Sequence, residues 1–204
     1  MIRAELRERR LWLTLARPEK ANALTSEMLA ALVREMRAVE VRDDVHAVVL
    51  TGEGGVFSAG ADLREVTGGD LATSPLWEDL SGAVAACPVF TIAALNGSLA
   101  GGAMGMALAA DVRIVVPGAK LFYPVMSMGL LPQPSDPGRL SALVGPAWAK
   151  RILLGGERLS SEEALAIGLV DEVAEDVAAA AVRLSDDAAS AARGHGVAIK
   201  SMLR

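Results

Sequence analysis

The chain has 204 residues, of which 52% are apolar, and 20 Lys and Arg face 25 Asp and Glu for a formal charge of −5. That is apolar material for one sizeable core, at most with an appendage, and the mild acidity, with no basic cluster flanked by aromatics, excludes a phosphate-gripping nucleic-acid surface. A single cysteine, Cys87, excludes an internal disulfide framework and a multi-cysteine zinc site, so the chain is expected to be reduced, cytoplasmic and metal-free.

The N-terminal MIRAELRERR lacks an apolar h-region, so no secretory signal is expected. Ile2, Ala4 and Leu6, then Leu11, Leu13 and Leu15 beyond Glu8-Arg9-Arg10, alternate as a hairpin does. After the Pro-marked loop Arg17 to Leu24, Thr25 is placed to cap a helix whose apolar face is Met28, Leu29, Leu32, Met36 and Val39. Ala47 to Leu50 and Val89 to Leu95 read as buried strands, each entering a glycine turn. A small-residue helix is expected at Ser98 to Ala110, and strands at Asp111 to Val116 and Lys120 to Tyr123. Helices follow at Gly138 to Val144, Ala147 to Leu154, Ser161 to Ile167 with Ser160 as cap, and Asp176 to Ala192.

No charge lies between Asp79 and Asp111, and Val89 to Ala110 would pass a hydropathy window for a membrane helix. Pro88, Asn96-Gly97-Ser98, Gly101-Gly102 and Gly105 break that stretch into strand, turn and helix, so no membrane span is expected. The order of elements gives an α/β fold with crossover connections: one domain over residues 1–204, with a core over 1–145 and a helical C-terminal extension over 146–204.

Two glycine-rich segments follow strands: Phe57-Ser58-Ala59-Gly60-Ala61-Asp62-Leu63-Arg64, and Asn96-Gly97 through Gly101-Gly102 to Gly105. Amides at a helix start lack intrahelical partners and can receive negative charge, and small residues let a ligand oxygen approach them. Two such ends facing each other would form an oxyanion hole. The other reading is that the glycines only pack a helix tightly on a sheet.

These segments, with Arg17-Pro18 and Asn22-Ala23-Leu24 before them and Asp111, Gly129-Leu130-Leu131-Pro132 and Ala164 to Asp171 after them, resemble the enoyl-CoA hydratase/isomerase (crotonase) superfamily in register over nearly the whole chain. The resemblance implies a ββα spiral core of the ClpP/crotonase kind with a shortened C-terminal helical region. It implies an acyl-CoA thioester as substrate or ligand and no further cofactor, with the thioester oxygen on the amides of Ala61 and Gly102. It further implies that Lys20, Ala21, Ala23, Asp62, Leu63 and Arg64 lie along the CoA moiety, and that subunits form a homotrimer or a dimer of trimers.

Such an enzyme stabilises a thioester enolate and must also move a proton with a side chain. The family's hydratases carry one glutamate on the helix after the second glycine motif, where Gly105 stands here, and a second behind a proline, where Val125 follows Pro124. Neither can move a proton. Asp136 is the candidate replacement, against the reading that Asp136 or Ser135 N-caps a helix. Tyr123 could donate from its phenol or could simply be core. Asp62 is expected to cap a helix, Asp111 to mark a strand start and His195 to sit in a Gly-His-Gly turn. Met104 and Met126, with Met106 and Met128, are expected to flank an adaptable acyl pocket, against ordinary core packing.

A dinucleotide fingerprint fails because Phe57 stands where a third glycine is needed, and a P-loop fails for want of Gly-Lys-Ser/Thr. A Clp-type serine protease would want a serine where Ala103-Met104 stand. Two readings therefore remain, an acyl-CoA enzyme with unorthodox acid/base residues and a non-catalytic acyl-CoA-binding protein.

Overall fold

The computed structural model describes residues 1–203. In chain order the strands are β1 (Ile2–Arg7), β2 (Arg10–Leu15), β3 (Ala47–Gly52), β4 (Val56–Ser58), β5 (Phe90–Leu95), β6 (Ser98–Ala100), β7 (Val112–Val115), β8 (Lys120–Phe122), β9 (Arg158–Ser160) and β10 (Glu172–Val173). The helices are α1 (Ser26–Ala38), α2 (Leu63–Gly68), α3 (Leu76–Ala86), α4 (Met104–Ala109), α5 (Val125–Met128), α6 (Asp136–Leu153), α7 (Ser161–Ala166), α8 (Val177–Leu184), α9 (Asp186–Ser190) and α10 (Arg193–Ser201).

The strands form two sheets, in the orders β1-β2-β3-β5-β7-β10 and β4-β6-β8-β9. β1 and β2 pair antiparallel as the expected hairpin, and β2, β3, β5, β7 and β10 run parallel. Each of β3, β5 and β7 hands the chain to the second sheet through a short connection, to β4, β6 and β8 respectively, before a helix returns it. This repeated passage is a ββα spiral, and it brings the ends of β4, β6 and β8 side by side. In β3 the run Ala47 to Leu50 is continuously apolar, as befits a strand covered on both faces, and all four residues are inaccessible.

α1 packs Met28, Leu29, Leu32, Val33 and Met36 into the core, and the Thr25 hydroxyl accepts from the Met28 amide as an N-cap. Ser160 forms a reciprocal capping box with Glu163, satisfying two amides that the start of α7 would leave unpaired. The two helices expected between Gly138 and Leu154 are one run broken at Gly145, whose positive φ of 77° no helix allows.

Three local expectations are corrected, and one helix is added. Ser98–Ala100 is a strand and Gly101–Ala103 a 3-10 turn, so the small-residue helix begins only at Met104; two flexible glycines favour a turn over helix at that point. Asp176 to Ala192 is two helices parted at Ser185, whose hydroxyl is turned to the Ala181 carbonyl and accepts from Arg10. His195 lies within α10 rather than in a turn. α3, unread in the sequence, is a full helix burying Trp77, Leu80, Ser81 and Val84.

Among the described residues no helix is long and apolar enough to cross a membrane. α10 buries no residue fully and is held by polar contacts. Arg193 donates to the carbonyls of Val45 and Val39, and Lys200 to the Val89 carbonyl and Asp111. Asp111 also accepts from the Thr91 amide and hydroxyl, which fixes the start of β7 beside β5.

Candidate active site

A cavity of about 580 Å³ opens where the second sheet's parallel strands end, and it is lined by both glycine-rich segments, the Lys20–Ala23 loop, Trp77 and the stretch from Phe122 to Gln133. Its size suits a small-molecule ligand.

The first segment is built from buried polar side chains. Asn22, fully buried, accepts from the Arg17 amide and donates to the carbonyls of Glu53 and Val56, tying the Arg17–Leu24 loop to the start of β4. The Ser58 hydroxyl donates to the Asn22 carbonyl and accepts from the Gly60 amide. Leu24 then bridges Ala61 in parallel, its amide donating to Gly60 and its carbonyl accepting from Asp62. In that pairing the N–H and C=O of Ala61 itself point away from Leu24. No hydrogen bond among the described residues takes up the Ala61 amide.

The second segment is pinned by Asn96, which accepts from the Gly52 amide and donates to the Gly54 carbonyl. Gly102 is the second residue of the 3-10 turn, a position whose N–H has no partner inside the turn. The segments touch at the residues just before these amides. A Cβ on Gly60 would meet the Ala100 carbonyl at 2.9 Å and the Gly101 Cα at 3.3 Å. Both glycines hold positive φ, 93° and 59°, so only glycine brings the loops this close without strain. Ala61 and Gly102 line the same cavity, and the Trp77 ring lies 3.1 Å from where a Gly102 Cβ would sit. The helices that follow, α2 and α4, have six residues each. The helix-dipole contribution expected from the sequence is thus small.

Lys20, Ala21, Ala23, Asp62, Leu63 and Arg64 all border the cavity. Lys20, Leu63 and Arg64 are exposed, whereas Asp62 is buried. Asp62 caps α2 by accepting from the Arg64 amide, and the Arg17 guanidinium reaches its carboxylate at 2.6 Å. That guanidinium first, and the Arg64 amide second, hold the Asp62 carboxyl below the usual carboxylate range.

The expected methionine pocket is corrected. Met104 is core, 1% exposed, and Met126 is 63% exposed; neither borders the cavity, and Met106 is also buried in the core. Met128 does border it. Residues two apart on a helical turn face different ways, which separates Met126 from Met128 on α5, and α4 is surrounded on every side.

Asp136 does not cap α6, nor does Ser135. Ser135 holds the N-cap position without a side-chain cap bond, and its hydroxyl accepts from Arg139 instead. Asp136 is fully buried, and its Oδ2 accepts from the Tyr123 hydroxyl at 2.8 Å. Its Oδ1 has no hydrogen-bond partner among the described residues; Arg139 stands 4.0 Å away, beyond hydrogen-bond reach. The carboxyl lies against α4: a Cβ on Gly105 would meet Oδ1 at 2.9 Å and Oδ2 at 3.1 Å. Burial pushes the Asp136 carboxyl up to about 6. Burial, and then the neighbouring Asp136 charge, push the Tyr123 phenol far above its ordinary range. Tyr123 borders the cavity and Asp136 sits behind it. Val125 is 7% exposed and borders the cavity without an ionisable group.

Sequence reasoning missed Trp77 as a lining residue, although Trp77, Leu80, Ser81 and Val84 already carry helical spacing. Its indole N–H donates to the Leu71 carbonyl, fixing the ring at the cavity wall.

The ββα spiral and a small-ligand cavity bordered by Ala61 and Gly102 are what the chain brings to a comparison with known proteins. The family model described as enoyl-CoA hydratase/isomerase matches residues 10–204, and the chain belongs to that family, the crotonases. It is 39% identical over 196 residues to "Probable enoyl-CoA hydratase echA14" of Mycobacterium tuberculosis, covering 94% of this chain and 77% of that protein. It is 36% identical over 172 residues to "2,3-dehydroadipyl-CoA hydratase" of Escherichia coli, covering 81% of this chain and 66% of that protein, just under two thirds of its length. The solved structure of Pseudomonas aeruginosa DspI superposes with a TM-score of 0.93 at 33% identity, over 99% of this chain and 85% of that one.

Proposed function

We propose that this protein is an acyl-CoA enzyme that holds the thioester oxygen on the amides of Ala61 and Gly102 and lowers the cost of forming an enolate beside it. The observation that carries this reading is that both amides lack hydrogen-bond partners among the described residues and border one cavity, on loops in contact at Gly60 and Gly101. Exposed Lys20 and Arg64 at that cavity supply positive charge suited to the phosphates of CoA, and the curated relatives carry CoA-ester names. We further propose assembly as a homotrimer or a dimer of trimers, supported by large apolar side chains left exposed, among them Met126, Leu131, Met202 and Leu203; light scattering of the purified protein tests it.

The carbonyl cradle is tested by calorimetry with hexanoyl-CoA and S-hexyl-CoA, a thioether lacking the oxygen. Two hydrogen bonds of about 1 kcal/mol each correspond to roughly tenfold or more tighter binding of the thioester. Equal affinity for the two would remove the cradle from the reading, and binding of neither would remove acyl-CoA.

A further inference from the structure

We infer that Tyr123 is the catalytic proton carrier of this cavity and that Asp136, buried behind it, is the positioning residue that takes up the phenol's own proton. The inference rests on the acyl-CoA reading above and assigns the proton transfer which that reading leaves without a residue.

Four titratable side chains border the cavity among the described residues: Lys20, Asp62, Arg64 and Tyr123. Lys20 and Arg64 are exposed. Asp62 is committed twice, to Arg17 and to the cap of α2. Tyr123 alone is buried and hydrogen-bonded to a carboxyl that has no other hydrogen-bond partner among the described residues. Its hydroxyl makes one short bond, to Asp136 Oδ2; among the described residues the only other hydrogen bond is a long one, 3.4 Å, from the Gln133 amide. A hydroxyl acceptor has room for a further proton donor.

The placement of Asp136 supports the pairing. Its carboxyl fills the space immediately outside Gly105, so the carboxyl comes from the N-terminal turn of α6 and leaves no room for one rooted on α4. A fully buried carboxyl with one unpartnered oxygen costs stability. A role in proton transfer accounts for such an expensive arrangement where packing does not.

The step balances. The Cα–H bond of the bound thioester breaks and its proton passes to Tyr123 Oη, while the proton already on Oη crosses the 2.8 Å bond to Asp136 Oδ2. The electron pair left at Cα moves onto the thioester oxygen at the two amides. The products are an enolate, a neutral phenol and a neutral carboxylic acid, and the reverse sequence returns a proton to carbon. The carboxyl must start ionised, so the rate falls as pH drops through about 6, the value that burial gives Asp136. Three groups face this carboxyl: Tyr123, Arg139 on its own helix, which favours ionisation, and Glu78 on α3, which opposes it.

The test is exchange of the α-protons of butyryl-CoA in D2O, followed by NMR beside calorimetric binding of the same ester. Wild-type protein is expected to bind and to exchange, with an acid limb near pH 6. Tyr123→Phe is expected to keep affinity within about threefold and to lose exchange by about 10² or more. Asp136→Asn is expected to slow exchange and to abolish the acid limb, which a purely structural role would leave in place. Binding without exchange in the wild type, or exchange retained in Tyr123→Phe, overturns the inference and spares the acyl-CoA reading. No binding at all overturns both. Should Tyr123→Phe fail to fold, the Asp136→Asn profile decides: a retained acid limb overturns the inference and a flat one upholds it.

Discussion

Ala61 and Gly102 on one side, and Tyr123 with Asp136 on the other, serve the same cavity but are built from different materials. The first pair offers main-chain amides, held by Asn22, Ser58 and Asn96 through side-chain bonds to the main chain of adjoining loops. The second offers side chains, brought together from the end of β8 and the first turn of α6. A main-chain device tolerates change in most side chains but not in the glycines that let its loops meet. A side-chain device tolerates loop movement but depends on each member, because removing one leaves a buried polar group alone.

Gly60→Ala should strike the first region hardest. The added Cβ meets the Ala100 carbonyl at 2.9 Å on a backbone with φ of 93°, so the loops must part. Displacing one donor from such a site costs about 10² to 10³ in rate, and enolate formation from a CoA thioester, measured by α-proton exchange, should fall by that much. A rate within threefold of wild type would show that the contact is dispensable.

Gly105→Glu tests the second region next. Alone it drives a side chain into the Asp136 carboxyl and should destabilise by about 1–3 kcal/mol. Combined with Asp136→Ala the penalty should shrink, and a double-mutant cycle by urea denaturation should give a coupling of about 1 kcal/mol or more. Additive effects would mean that the two positions do not compete for space.

The smallest effect is on stability against pH. The Asp136 carboxyl titrates at about 6 in the folded chain against an ordinary 3.8. Between those values the folded state binds more protons than the unfolded state, so this group's contribution to stability falls as pH rises through the window and stays low above it. Asp136→Asn removes the charge. It should melt about 2–6 °C above wild type at pH 8, and the gap should close by pH 4. A pH-independent gap would contradict a buried, ionisable carboxyl.

The same contrast explains what could be read from the chain alone. The hairpin, α1 with its Thr25 cap, the strands β3, β5, β7 and β8, and α7 with its Ser160 cap are written in local periodicity and capping residues, and each is expected from the sequence, whereas β4 and β10 are not. Both glycine segments were legible because backbone sites announce themselves as small residues after strands. The limit of the small-residue helix was not, since Ser98–Ala100 pairs with β4 and β8 through contacts distant in sequence. Tyr123 and Asp136 each carry two readings in the sequence, core or proton donor for one and cap or acid/base group for the other, and no local rule decides between them. Only the packing of α6 against α4 reveals that Asp136 leaves the cap position to Ser135 and lies against Gly105. Met104 and Met126 were misplaced because proximity in sequence to a cavity says nothing about which way a short helical turn faces.

The fastening of α10 has a further consequence. With no fully buried side chain, this helix gains little from water exclusion and depends on Arg193 and Lys200 reaching main-chain carbonyls and Asp111. Such a segment opens locally at a small fraction of the global unfolding free energy. Its amides should exchange with solvent deuterium well before those of β3 and β5, and sooner still in concentrated salt, which screens the Lys200–Asp111 attraction while leaving the apolar interior untouched.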